Sequence, residues 1–355
     1  MWPFDGSLES LWLVLYLASF ALHAVFVSYV AVGTAYALVA AIRRSADPIA
    51  ARVRDWLTFM LGAGITAGVG PLLFIQLLYQ RRFYTANLLM GPRWGAVVPA
   101  LIIGFYALYL AKASERWRRL ALGAGVVCFA FVAWSWTELH QVMLDDRTWR
   151  AMYAAGERFH FELAVLPRLA IWLGAMLALF ATVAAWTPAP AERRRLAGLA
   201  LAGLILCALT SVATIVASRD FDPAHGWTYL LAIAAVAAAL GWGWTARRPD
   251  GPGLALATAA TAAALFAGSV VREAPRLALI ERSRPTAAHA GGVVVFAITL
   301  VVGVAAISWI VRTVRRAKNS GAQLSMVLSV GKPVTPKRNP PARTSRRRTR
   351  RNSSA

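Results

Sequence analysis

Charged residues are scarce: Asp, Glu, Lys and Arg make up 15% of the 355 residues, against about 25% in ordinary soluble domains. Acids are the scarcer sign, 16 against 38 basic residues. Cysteine is nearly absent. Cys128 and Cys207 each sit inside an apolar run, where a lone thiol serves most often as a small packing group. A disulfide framework is therefore excluded, and the lack of a Cys-x-x-Cys-His run excludes covalent haem attachment. No His-Glu-x-x-His, Gly-x-Ser-x-Gly, phosphate loop or spaced Cys/His cluster occurs, so those hydrolase, nucleotide and zinc chemistries lack their residues. No pair of intramembrane carboxylates suggests an ion pump. No Lys or Arg precedes Arg43, and the N-terminus does not read as a cleaved signal peptide.

What remains is apolar: 58% of the chain, gathered in runs of about 20 residues, each enough to cross a hydrocarbon core as a helix. Lipid offers backbone groups no partners, so such runs must be helical. The predicted fold is all-α, a polytopic membrane bundle of about nine spans near 16–42, 56–78, 94–111, 120–142, 169–186, 196–217, 227–246, 254–271 and 290–310. The first apolar run begins near Leu11 and is too long for one crossing; its start either lies along the interface or lengthens a tilted helix. The first five spans carry the aromatic, His and polar residues, and the last four are Ala-rich. That change of texture divides the chain into a five-helix unit (1–186), a four-helix supporting unit (187–311) and a basic tail (312–355).

The net charge of +22 is unevenly placed: the tail from Arg312 holds 13 basic residues and no acid, leaving the body at +9. One set of alternate loops contains Arg43, Arg44, Arg52, Arg54, Lys112, Arg116, Arg118, Arg119, Arg193 to Arg195, Arg247 and Arg248. With the tail, that side outweighs the other by 26 basic residues to 12. The positive-inside rule then puts the N-terminus outside and the C-terminus in the cytoplasm. Trp12, Trp56, Trp94, Trp117, Trp186, Trp227 and Trp309 lie near span ends, where indoles anchor to the interface. The tail is rich in Pro, Ser and Arg and cannot bury a core. Its charge fits anionic lipid headgroups, whereas nothing beyond charge points to nucleic acid.

The five histidines, His23, His140, His160, His225 and His289, all fall toward the outer side in this topology. Four are equally readable as interfacial polar groups. His23 differs, being embedded in Phe20-Ala-Leu-His23-Ala-Val-Phe26; an ionisable group within a span is a functional candidate, here as a metal ligand or proton relay. Glu138 stands near the outer end of the fourth span, placed either to relay protons or to snorkel to water. The second span contains Gly62-Ala-Gly-Ile-Thr66-Ala-Gly-Val-Gly-Pro71, fit for close packing, against a flat cofactor or a neighbour, or for a kink. Arg81, Arg82 and Arg168 lie on the outer side, and their forks match haem propionates or lipid phosphate.

Leu22-His23-Ala24-Val25-Phe26 with Gly33-Thr34, then Gly64 to Gly68 with Phe74-Ile-Gln76 and Phe83-Tyr84-Thr85, then Gln141 to Leu144, Trp149, Met152-Tyr153 and Pro167-Arg168 occur in an order that resembles subunit I of the cytochrome bd-type quinol oxidases. The resemblance covers the first five spans. It implies an N-terminus outside the membrane and haem b near the outer face, with His23 as axial ligand. His140, His160, Arg81, Arg82 and Arg168 would be further cofactor-binding candidates and Glu138 a proton relay. The sequence departs from that pattern where a second haem-ligating His would follow Pro167-Arg168: Ile171 and Trp172 stand there. The third span lacks proton-feeding acids, and no long quinol-binding loop follows the sixth. The implied function is respiratory-type electron transfer in a bacterial-type inner membrane, with a redox partner subunit or periplasmic cytochrome. The alternative is a non-redox scaffold, assembly factor or transporter that has lost haem.

Overall fold

The computed structural model describes residues 8–156, 162–186, 189–218 and 226–280, with scattered positions between 298 and 313. Every regular element among them is helical. They are α1 (Leu8–Ile42), α2 (Pro48–Leu78), α3 (Gln80–Leu89), α4 (Gly91–Gly95), α5 (Val97–Ala113), α6 (Arg118–Leu144), α7 (Trp149–Ala155), α8 (Leu166–Ala184), α9 (Pro190–Ser218), α10 (Gly226–Arg247) and α11 (Gly253–Glu273). Short 3-10 turns precede α8 and follow α11, the latter over Ala274–Leu279. Eight of these segments are long and apolar enough to cross a membrane, α4 and α5 counting as one. Such a chain is a multi-pass membrane protein. The expected ninth span, 290–310, lies almost wholly outside the described residues, as does the tail.

α1 runs unbroken for 35 residues, about 50 Å at helical rise. Its first turns bury Trp12, Leu13, Tyr16 and Leu17, so the start of the apolar run extends the helix inside the bundle. α2 begins eight residues earlier than the apolar pattern suggests. Asp47 caps it by accepting the Ile49 N–H, and Pro48 occupies the first turn, where its missing N–H costs nothing. Pro71 is buried within the same continuous helix.

The described helices up to the 3-10 turn after α11 belong to one compact unit, Met1–Arg282. They pair as antiparallel neighbours: α1 with α2, α5 with α6, α8 with α9, and α10 with α11. α1 is the hub, touching α2, α6, α8 and α11. Its Tyr29 and Tyr36 rings lie 5.5 Å and 6.0 Å from Phe180 of α8. Around them Val53, Leu57, Leu108, Leu122, Trp242 and Leu254 fill the core. Small residues set the spacing of the later helices. A Cβ on Gly174 would stand 2.6 Å from the Gly203 carbonyl, so α8 and α9 touch backbone to backbone, and such approach permits tight van der Waals packing. Leu22, Phe59, Ile102, Tyr106, Val127, Ile205, Leu209, Val216, Ile233 and Leu240 remain exposed. A soluble monomer does not carry so large an apolar exterior; hydrocarbon accommodates it.

The two ends of the bundle differ chemically. At the end where α1 meets α2, the basic loops are tied by ion pairs: Arg195 to Asp47, Arg52 to Glu192, and Arg193 to Asp250. The opposite end gathers buried polar groups from five helices.

Candidate functional site

His23 sits on α1 against the glycine face of α2. Its Nδ1 lies 2.9 Å from the Gly64 carbonyl oxygen, to which it donates. A Cβ on Gly68 would meet the ring at 2.8 Å (Cε1) and 2.9 Å (Nδ1). One turn earlier, Ser19 leans on Gly70 in the same way. The glycine run is therefore the seat of the His23 imidazole: absent side chains on α2 make room for a ring from α1. This bond fixes which nitrogen carries the proton and leaves Nε2 as the available lone pair.

Toward the start of α1, the gap to α8 is closed from a direction the sequence pattern does not suggest. Arg272, at the end of α11, lays its guanidinium 4.1 Å from the Phe20 ring centre and 5.7 Å from that of Trp172. Phe20 and Trp172 meet edge to face at 5.6 Å. Arg272 also donates to the Tyr16 hydroxyl at 2.7 Å and forks onto Glu273 Oε1 with Nε at 2.9 Å and Nη2 at 2.7 Å. Stacking on aromatic faces while donating in plane is the arrangement guanidinium suits best.

Glu273 is the centre of this cluster and fully buried. Besides Arg272 it receives Arg276 at 2.8 Å and the Tyr79 hydroxyl at 3.0 Å. A second buried carboxylate, Glu138 on α6, accepts Arg93 Nη1 at 2.6 Å, Trp134 Nε1 at 2.7 Å and the Glu162 backbone N–H at 2.8 Å. Arg93 is 2% exposed and Glu138 0%. Glu138 thus does not snorkel to water; α4, a single turn between α3 and α5, delivers an arginine to it. Both carboxylates have the charge-assisted donors that burial demands.

His140 lies one turn below the end of α6, 7% exposed. Its ring is 5.5 Å from Trp136, it stands in the field of Arg276, Arg272 and Arg168, and its Nε2 has no hydrogen-bond partner among the described residues. Above it opens a cleft of about 440 Å³ walled by Arg82, Gln141, Leu144, Asp145, Asp146, Arg147, Glu162, Arg168 and Leu279, among others. Arg82 is bound to the end of α6: it reaches Asp146 at 3.0 Å and the Met143 and Leu144 carbonyls at 3.5 Å and 3.4 Å, which neutralises orphan acceptors of that helix terminus.

The structure therefore brings together Glu138, His140, Arg82 and Arg168 at one end of the bundle. Arg81 is exposed on α3. His23 contacts Gly64 and Gly68, neither of which lines the cleft. His160, His225 and His289 lie outside the described residues. Sequence reasoning missed Tyr16, Tyr79, Arg93, Arg272, Glu273 and Arg276. The available signal was three charges in the five residues Arg272 to Arg276 at the end of an apolar run, which resembles an ordinary loop until the helix is seen to continue to Glu273.

The haem expected from the resemblance can be tested against these residues. His23 offers one imidazole nitrogen. Between α1 and α8, Phe20, Trp172 and Arg272 fill the space with mutual contacts, while His23 is turned to Gly64 and Gly68 of α2. Among the described residues no three His, Cys, Asp or Glu side chains group as metal ligands, which bears on zinc-type sites and not on haem, whose iron takes only axial ligands from the protein. A haem held between histidines of α1 and α8 lacks its second ligand, since α8 carries no histidine. No protein-family model matches the chain, and no curated protein matches it.

Proposed function

We propose that the protein is a non-redox member of the bd-oxidase subunit I lineage. It acts as a membrane scaffold or assembly factor whose outer end offers a polar cleft to a partner. The observation that carries this reading is the α1–α8 seam, where α8 offers no histidine and Arg272 stacks on Phe20 and Trp172. The ion pair Arg93–Glu138 joins α4 to α6, Arg82 ties α3 to the loop after α6, and Arg272 bridges α11 to Tyr16 of α1; such ties are suited to hold a fixed surface. Nine spans, an outer N-terminus, a cytoplasmic basic tail on anionic lipid and an inner-membrane location belong to the same proposal. It is supported by the loop charges and the alternation of helices.

The second reading keeps electron transfer, with haem b on His23 alone. The Nδ1 bond to Gly64 favours it, since a backbone carbonyl behind the imidazole is the usual support of a ligating His. The absorption spectrum of the full-length protein, purified from haem-replete cells, separates the two. The scaffold reading expects no reduced-minus-oxidised bands in the b-haem region. Stoichiometric bands that disappear in His23→Ala would overturn it.

A further inference from the structure

The loops at the basic end of the bundle are unevenly compensated. Arg195, Arg52 and Arg193 are neutralised by Asp47, Glu192 and Asp250. The corner where α5 turns into α6, beside the start of α2, has only Asp55 and Glu115, and both are engaged. Lys112 Nζ lies 4.0 Å from the Asp55 carboxylate and donates to the Asp55 backbone carbonyl at 3.2 Å. Arg118 pairs with Glu115 at 3.1 Å. Arg54, Arg116 and Arg119 are left with no carboxylate partner among the described residues. Apart from Thr187 and Pro188, every connection between helices at this end is described, and the chain holds no acid after Glu281. The positive surplus of the corner therefore omits no acid.

The same corner carries exposed rings. Trp56 and Trp117 are each about half exposed. Trp56 meets Phe59 edge to face at 5.6 Å, and the Arg116 guanidinium lies 5.5 Å from the centre of the Trp117 ring. Farther along the helices Tyr106, Tyr109 and Leu110 of α5 and Leu120 of α6 are exposed as well.

We infer that this corner binds the headgroup of an anionic phospholipid. Arg116 and Arg119 hold the phosphate, Arg54 adds its field, and Trp56 and Trp117 flank the headgroup. Guanidinium forks match phosphate oxygens in pairs, and indoles settle at headgroup level. The acyl chains then lie along Phe59, Tyr106 and Leu110. That apolar continuation favours a lipid over a soluble acidic partner, which would satisfy the arginines but would meet helix sides set in hydrocarbon. The inference depends on the bundle lying in a membrane, and neither on the scaffold reading nor on a haem at His23.

The test uses the full-length protein, delipidated and held in mixed micelles. Thermal unfolding is followed as phosphatidylglycerol replaces phosphatidylcholine. The basic tail contributes its charge in every variant alike, so the site is read from differences between variants. Arg116→Gln/Arg119→Gln is compared with Arg247→Gln/Arg248→Gln, which removes the same charge at the same end, at the turn that also holds Asp250. All four arginines are exposed, so neither pair empties the core, and equal unfolding in pure phosphatidylcholine verifies this. The expected result is that R116Q/R119Q raises the phosphatidylglycerol needed for half of the stabilisation at least about tenfold, given the attraction of each basic residue to an anionic surface. R247Q/R248Q should change it by no more than about twofold, the effect of lowered bulk charge under screening. Arg116→Lys/Arg119→Lys should recover most of the loss. Equal shifts in the two glutamine pairs, no shift in either, or no stabilisation of the wild type by phosphatidylglycerol over phosphatidylcholine would each overturn the inference.

Discussion

Removing Arg93 tests whether the polar end of the bundle is a set of paired charges or merely a wet boundary. Arg93→Met keeps an unbranched apolar stem and deletes the guanidinium charge. Among the described residues Glu138 then remains fully buried with the neutral donors Trp134 Nε1 and the Glu162 N–H, and Ser135 loses its donor from Arg93 Nε at 3.1 Å. Breaking a buried ion pair on one side costs about 3–5 kcal/mol, because the remaining charge is uncompensated. That is a shift of roughly a hundredfold or more in the folding equilibrium. Arg93→Met/Glu138→Gln removes both charges and keeps an amide oxygen for one of the two donors, Trp134 Nε1 or the Glu162 N–H, which bond different oxygens of Glu138. It is expected to regain at least half of the loss, giving a coupling energy of roughly 2 kcal/mol or more in the double-mutant cycle. Reversible unfolding in mixed detergent micelles, followed by Trp fluorescence, measures both. A penalty below about 1 kcal/mol for R93M, the usual size for a surface pair, would refute the burial argument. So would a double variant no more stable than the single one.

Gly68→Ala should cost about 1–3 kcal/mol, the usual range for overpacking, because the new methyl would stand 2.8 Å from the His23 ring. Gly64→Ala, whose Cβ meets Phe26 at a looser 3.3 Å, should cost less, and unfolding of the two variants side by side checks the order. Asp47 carries the pH dependence of the other end. Burial raises its carboxyl, but hydrogen bonds from Arg195 and Tyr36 outweigh that and hold it below the usual carboxylate value of 3.8. A depressed folded value means the stabilisation is fully present above the unfolded value and is lost as pH falls through the folded one. Asp47→Asn should therefore remove a part of the acid sensitivity seen below about pH 4; a wild-type-like decline in that range speaks against the pairing.

The eight helices long and apolar enough to cross a membrane were legible because lipid leaves such a chain no other choice: a long apolar run must satisfy its own backbone. Boundaries were less legible where charged residues continue a helix. Arg52, Arg54 and Asp55 lie inside α2, since Asp47 and Pro48 start it, and Arg272 and Glu273 end α11 inside the polar cluster. His23 stood out as an ionisable group among apolar neighbours, and Glu138 as a carboxylate near a span end. Neither carries its partner in the sequence. The seat of His23 lies 41 residues on, at Gly64, and the partner of Glu138 lies 45 residues back, at Arg93.

The sequence by itself determined that this is a helical membrane protein with its chemistry confined to a few polar residues among apolar spans, because hydropathy is a local property. Only the tertiary structure decided what those residues do. Whether a charge in such a chain is a lipid anchor, a loop residue or half of a buried pair depends on which helices meet, and α1 meets α11 across more than 200 positions of chain. The bond from Arg272 to Tyr16 is the clearest case, spanning 256 residues. It turns an apparent loop arginine into the group that closes the bundle.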